Sequence, residues 1–345
     1  MVMRMASASP SSFIFGRRAS FRRLRQLLVG SAAGRIVRLL LCCSLLLSLL
    51  LISGGCRCRF SHLQPSPPLG EGYTVVINTW KRNDLLKQSV VHYASCVGVD
   101  SIHVVWSEPD PPADSLRDGL MQAVRSKSKL GQDVDIIFDI NQEDSLNNRF
   151  KEIKDLRTDA IFSIDDDVLF PCASVEFAFS VWRSAPTTMV GFVPRMHWLD
   201  KSRSSTEQYK YGGWWSVWWT GTYSMVLSKA AFLHKQYLDL YTNHMPVYVR
   251  DYVAKNSLSY IGLWHLYCRN CEDIAMSILV ANVTGAPPIW VKGRIFEIGS
   301  TGISSLGGHS AQRSQCLNVF AAIYGRMPLV ATSMKAIDSR TSWFW

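Results

Sequence analysis

Three consecutive carboxylates, Asp165, Asp166 and Asp167, follow the apolar run 160–164 and precede Val168, Leu169 and Phe170. Three like charges at the end of an apolar strand repel one another unless a cation neutralises them. Hard oxygen ligands suit Mg²⁺ or Mn²⁺, ions that bind substrate phosphates together with one or two carboxylates. The chemistry suggested is metal-assisted handling of a nucleotide-sugar; a solvated acidic turn is the plain alternative. A second cluster lies in 209–219, where Trp214, Trp215, Trp218 and Trp219 join Tyr209 and Tyr211 beside Gly212 and Gly213. Rings at this density either stack on a sugar or fill a core, and the sequence leaves both readings open.

The elements around the triplet place it. Residues 73–79, 101–106, 134–140 and 160–164 read as strands, alternating with helical stretches at 84–96, 113–129 and 145–156. This alternation predicts an α/β fold with a mainly parallel central sheet in one domain. Ligands of such sheets bind beyond the carboxyl ends of the strands. Both the triplet and the stretch Asn78-Thr79-Trp80-Lys81-Arg82 fall there. Further strands are expected at 189–194, 223–227 and 289–298.

Charge excludes one class of partner. The formal net charge is +10, yet residues 1–70 hold ten Arg and no Lys, Asp or Glu. The remainder carries 27 basic against 27 acidic side chains, so the globular part offers no net positive field for nucleic acid. The basic tail 1–35 precedes a Leu-dominated run, 36–54, interrupted only by Arg38. At about 1.5 Å per residue such a run approaches the roughly 30 Å needed to cross a bilayer. Positive charge before it predicts a signal-anchor with a cytosolic N-terminus and a luminal body, and so short a span suits a thin Golgi-type membrane. The long basic lead argues against a cleaved signal peptide, and the solid Leu block against an amphipathic transit peptide. A Pro-rich stem, 55–71, then leads to a domain over 72–338. In that domain five cysteines, Cys96, Cys172, Cys268, Cys271 and Cys316, form no paired CxxC zinc pattern, and a luminal address permits disulfides. Asn282-Val283-Thr284 is a glycosylation sequon.

Several stretches occur in an order that points to a family. They are 79–84 (TWKRND), Ile164 with the triplet, 191–195 (GFVPR), 223–227 (YSMVL) and 271–276 (CEDIAM). Together they resemble the exostosin C-terminal domain, glycosyltransferase family 64, over roughly 72–335. Stretches 145–150 (SLNNRF) and 298–303 (IGSTGI), with the terminal Trp343-Phe344-Trp345, are similar to its short plant branch, which mannosylates glycosyl inositol phosphorylceramides. The resemblance implies a GT-A type domain performing Mn²⁺-dependent, retaining sugar transfer from a nucleotide donor.

Carried over by position, the resemblance implies that Asp167 ligates the metal while Asp165 and Asp166 hold the nucleotide-sugar and the metal's waters. Arg82 and Arg149 contact the nucleotide diphosphate, since planar guanidinium forks suit phosphate oxygens, and Asn78 belongs to the nucleotide-sugar site. Asp273 corresponds to the catalytic carboxylate and Arg313 to the residue that stabilises the leaving β-phosphate. Cys271 and Cys316 correspond to a disulfide. Ser107 and Asp144 stand where some relatives have nucleotide-contacting Asn. The apolar stretch 257–268 is an insertion relative to the plant pattern. The plant likeness implies GDP-mannose as donor and a membrane sphingolipid as acceptor. A UDP-N-acetylhexosamine or glucosamine transferase of exostosin type, and an inactive luminal sugar-binding partner, are the rival readings.

Overall fold

The computed structural model describes residues 40, 43–44, 72–127, 134–200, 208–257, 271–299 and 309–341. The chain divides into two compact units, 1–66 and 67–345; of the first, only Leu40, Cys43 and Ser44 are described. Most of the expected span 36–54, and the insertion beyond Ser257, therefore lie outside the described residues. No helix among the described residues is long and apolar enough to cross a membrane.

The second unit is built on strands β1 (Tyr73–Thr79), β2 (Val99–Trp106), β3 (Asp135–Ile140), β4 (Ala160–Asp165), β5 (Val168–Leu169), β6 (Val190–Gly191), β7 (Pro194–Leu199), β8 (Tyr209–Gly212), β9 (Met225–Val226), β10 (Ala230–His234), β11 (Ile289–Val291), β12 (Phe296–Glu297) and β13 (Lys335–Ala336). Eight form one sheet in the order β13-β11-β6-β10-β4-β1-β2-β3. Every neighbouring pair is parallel except those made by β10, which runs antiparallel between β4 and β6.

Alternation along β1 shows how the sheet is covered. Val75 and Ile77 join a core with α1 (Asn83–Ala94), α2 (Asp114–Lys127) and α3 (Cys172–Ser184), through Leu86, Val90, Leu120, Val124, Val175 and Trp182. Val76, pointing the other way, joins a second core with Val249, Ile274, Ile278, Leu317 and Phe320. The two-residue period of a strand sends neighbours to opposite faces, which yields a mixed α/β fold with a buried, mainly parallel sheet. The remaining helices are α4 (Trp214–Thr220), α5 (Gln236–Asp239), α6 (Val247–Ser257), α7 (Glu272–Thr284) and α8 (His309–Tyr324).

Three sequence expectations are corrected, and one reading left open is decided. The helix expected at 145–156 is a single 3₁₀ turn, Leu146–Phe150. Its asparagines make tertiary bonds instead: Asn147 donates to the Arg250 carbonyl (3.0 Å) and Asn148 to Ser107 Oγ (2.9 Å). Asn side chains compete with helix continuation in this way. The strand expected at 289–298 breaks into β11 and β12, which belong to different sheets. Between them Gly293 packs so closely that a Cβ there would lie 2.7 Å from the Phe192 ring. The stretch 189–194 likewise splits between β6 and the start of β7. The tryptophans of 214–219 do not fill a core; all four are exposed on α4.

Candidate active site

The carboxyl ends of β1 and β4 lie side by side, with Asn78 registered against Asp165. Asp165 ends β4, and the three carboxylates then separate. Asp165 is ion-paired with the buried guanidinium of Arg149, brought in by the 3₁₀ turn. Asp166 is fully buried; Thr79 Oγ1 donates to its Oδ2 at 2.7 Å, and its backbone N–H donates to the Asn78 carbonyl at 3.3 Å. Its Oδ1 accepts no well-angled hydrogen bond yet is ion-paired with Arg82. Asp167, whose side chain is 20% exposed, accepts from Arg82 Nη1 at 2.9 Å. Its carbonyl accepts from the Ile298 N–H (2.8 Å), next to β12.

Arg82 is aimed by an unusual turn. Lys81 has φ +52°, the left-handed region, which costs a non-glycine residue about 1–3 kcal/mol and persists only where the surroundings impose it. Here the Lys81 N–H donates to Glu108 Oε1 at 2.7 Å, fixing the step from β1 into α1.

The second half of the site comes from α7. Asp273, in its first turn, accepts at Oδ1 from the Ser228 N–H (2.9 Å) and hydroxyl, and at Oδ2 from Arg313 Nη2 (3.3 Å). Arg313 also donates to Tyr211 Oη (2.5 Å) and lies over that ring, 5.1 Å from its centroid. Arg149 joins the two halves, with Nη1 3.9 Å from Asp273 Oδ1. Cys271 and Cys316 form a disulfide, tying the residue before Glu272 to α8 three residues after Arg313. A second disulfide, Cys96–Cys172, joins α3 to the segment after α1. Cysteine spacing offers no basis for choosing that pairing.

Electrostatics follow from this burial. Desolvation raises the Asp165 carboxyl, with Arg149 opposing. Asp166 is pushed up to about 6 by burial, against the Thr79 hydrogen bond and Arg82. Burial also opposes ionisation of Asp273, but Arg313, Arg149 and Ser228 outweigh it and hold that carboxyl below its ordinary range. The site thus keeps one carboxylate ionised between two arginines.

Glu272, adjacent to it, is a site residue that sequence reasoning missed. It is buried, its Oε2 has no hydrogen-bond partner, and burial followed by the Asp273 charge pushes it up to about 7. Its folded value lies above the ordinary 4.5, so its contribution to stability is complete below about pH 4.5 and is lost as pH rises through about 7. Glu272→Gln should therefore stabilise the chain at pH 8 by up to about 3 kcal/mol, and by less than about 1 kcal/mol at pH 4.5. Urea unfolding at the two pH values measures this; a difference that ignores pH would refute it.

A divalent ion fits the chemistry of the strand end. Arg82 already bridges Asp166 and Asp167 there, and Asp167, 20% exposed, is ion-paired to this partly exposed guanidinium, whereas Asp165 is committed to the buried Arg149. Gly299 packs directly against the Asp167 side chain, since a Cβ at 299 would lie 2.9 Å from Asp167 Cβ and 3.4 Å from its Oδ2. The three aspartates do not converge into a cage. Among the described residues the one converged group of three ligand-type side chains is His92, Cys96 and Cys172, and its cysteines are joined as a disulfide. One carboxylate combined with phosphate oxygens is the usual mode for Mg²⁺-like ions.

The other expected residues are placed as follows. Ser107 is buried just past β2 and supports the 3₁₀ turn through Asn148. Asp144 precedes the Ser145 cap of that turn. Asn282 lies apart, in the last turn of α7, where its Oδ1 accepts from Arg326 at 2.8 Å. A cleft of about 320 Å³ lined by His103, Asp139 and Lys154 lies elsewhere and contains none of the site residues.

Comparison with known proteins identifies the family. The glycosyl transferase family 64 domain matches residues 73–343, and the chain belongs to that family: it is a glycosyltransferase. Glycosylinositol phosphorylceramide mannosyl transferase 1 of Arabidopsis thaliana is 64% identical over 275 residues, covering 80% of this chain and 79% of that protein. Human exostosin-2 is 32% identical over 278 residues, covering 78% of this chain and 34% of its own length. Drosophila melanogaster exostosin-1 is 37% identical over 194 residues, covering 55% and 23%.

Proposed function

We propose that this chain transfers mannose from GDP-mannose, with retention, to the glycan headgroup of glycosyl inositol phosphorylceramides, on a GT-A type domain held on the luminal side of the Golgi membrane by an N-terminal anchor. The observation that supports this most is the continuous arrangement Asp165–Arg149–Asp273–Arg313 at the carboxyl end of the sheet, taken with the 64% identity to a mannosyltransferase. In this reading Arg82 and Arg149 face the nucleotide diphosphate, with Asn78, Ser107 and Asp144 shaping the nucleotide edge. Asp167 holds Mn²⁺, and Asp165 and Asp166 orient the donor. When bound, the ion supplies charge stabilisation to the diphosphate oxygens. A luminal address would present Asn282 to glycosylation.

As the sugar–phosphate bond breaks, positive charge grows at the anomeric carbon and negative charge on the leaving phosphate. Arg313 stabilises the departing oxygen, and the ionised Asp273 stabilises the oxocarbenium-like centre. The acceptor hydroxyl attacks the face that the phosphate leaves, and its proton passes to the phosphate oxygen. The burial of Asp273 and Arg313 strengthens both interactions relative to water.

Donor hydrolysis by the purified chain tests the donor assignment. GDP-mannose turnover should exceed that of UDP-N-acetylglucosamine by about 10²-fold or more, as expected where a site hydrogen-bonds its own substrate. Strong hydrolysis of UDP-N-acetylglucosamine with none of GDP-mannose would replace the reading with an exostosin-type hexosaminyl transferase.

A further inference from the structure

The short helix α4 has no charged side chain, and its four tryptophans are 46, 77, 63 and 81% exposed in the order Trp214, Trp215, Trp218, Trp219. Three of them form a connected ridge, and the fourth packs on a neighbouring strand. Trp215 meets Trp218 at 6.1 Å between centroids, Trp218 meets Trp219 at 6.3 Å, and Trp214 packs edge-on against Trp290 at 5.6 Å. Lys335 Nζ lies 3.7 Å from the Trp290 centroid. Lys292 is its neighbour, since the Lys292 N–H donates to the Ala336 carbonyl (2.9 Å). Burial, then the like charge of Lys292, lowers the Lys335 ammonium. Among the described residues no carboxylate is ion-paired with either lysine.

The ridge is rigidly seated. Val217 buries its side chain, and a Cβ at Gly212 would lie 2.6–2.8 Å from Met196, Trp198 and Ser216, so helix and strand are in close contact. Tyr211, one residue before Gly212, holds Arg313. The ridge is thus fixed to the strand that positions the site.

An exposed apolar surface of this kind marks an interaction face. Its chemistry selects the occupant. Tryptophan, amphipathic through its indole N–H, is the residue enriched at the membrane–water interface. Two neighbouring lysines without acidic partners complement anionic headgroups. A sugar subsite would instead need polar side chains around the rings, and α4 offers only Ser216 and Thr220, the latter bonded back to the Ser216 carbonyl.

We propose that the tryptophan ridge, flanked by Lys292 and Lys335, docks on an anionic bilayer surface and seats the active site over a lipid-borne acceptor. The role assigned to this docking rests on the acceptor proposed above; the contact itself is tested without turnover.

Residues 1–72 contain no Trp, so indole quenching by bromolipid reports only on the globular part. The full chain is reconstituted in phosphatidylcholine vesicles with phosphatidylserine at roughly a third of the lipid and brominated acyl chains. Wild-type emission should be quenched, and W215S/W219S should lose roughly half or more of the quenched fraction. K292E/K335E should lose a similar share, and only where phosphatidylserine is present. Near-UV circular dichroism verifies that both variants fold. Unquenched wild-type emission, or quenching equal in W215S/W219S, overturns the proposal. So does a ridge that responds to free oligosaccharide and not to lipid. Quenching as expected without GDP-mannose hydrolysis would leave the surface standing and remove the donor assignment; hydrolysis without quenching would do the reverse.

Discussion

Asp273→Asn is expected to lower kcat for sugar transfer by about 10³-fold while leaving donor affinity within a few-fold. The substitution is nearly isosteric, and Ser228 can still donate to the remaining carbonyl oxygen. What disappears is a full negative charge, buried between Arg149 and Arg313. In the ground state that charge faces the guanidinium groups and a neutral sugar; in the transition state it faces a developing cation. An interaction made mainly in the transition state lowers kcat when lost and spares binding. A factor of 10³ corresponds to about 4 kcal/mol, within the range for one well-placed charge in a water-poor site. The two arginines, less compensated in the variant, should hold the diphosphate at least as well, so the donor Kd is not expected to rise. Single-turnover transfer and donor titration separate the two effects. A variant that retains more than about a tenth of wild-type turnover would exclude Asp273 from the chemistry.

The parts of the fold that could be read from the sequence are those in which local pattern and tertiary role agree. The strands β1, β2, β3 and β4 are short apolar runs bounded by polar turns, and their carboxyl ends gather Asn78 and the acidic triplet as parallel-sheet logic requires. Where side chains serve distant partners, local pattern misleads. Asn147 and Asn148 end a helix early because their amides bond Arg250 and Ser107. The central strand β10 is four apolar residues closed by His234, with no periodic signature, and its antiparallel direction is set by pairing with β4 and β6. Within the site, the triplet announced itself through charge density, but its division of labour did not. Only the surroundings reveal that Asp165 serves the buried Arg149, Asp166 serves Thr79 and Arg82, and Asp167 is held by the partly exposed Arg82. Asp273, Arg313, Arg149 and Arg82 were marked by family resemblance rather than by spacing. Glu272 went unmarked because an acid in the first turn of a helix is ordinary until its burial is known.

Removal of divalent cations by chelator should reduce transfer by about 10³-fold or more, and Asp167→Asn should reproduce that loss even with Mn²⁺ supplied. The prediction depends on how differently the three aspartates are committed. Asp165→Asn would leave Arg149 buried without its partner, and Asp166→Asn would disturb Thr79 at the end of β1; either loss mixes folding with function. Asp167 is the cleaner probe, because its one side-chain partner is the partly exposed Arg82, which also keeps Asp166. Its asparagine variant should therefore unfold near the wild-type temperature while losing nucleotide affinity as well as turnover. That double loss distinguishes it from Asp273→Asn, where affinity persists. Adding Mn²⁺ back to chelated wild-type enzyme should restore activity, and the same titration should fail with the variant. Full turnover in chelator would mean that Arg82, Arg149 and Arg313 suffice to hold the diphosphate, and the acidic strand end would then be only the partner that fixes the arginines in place.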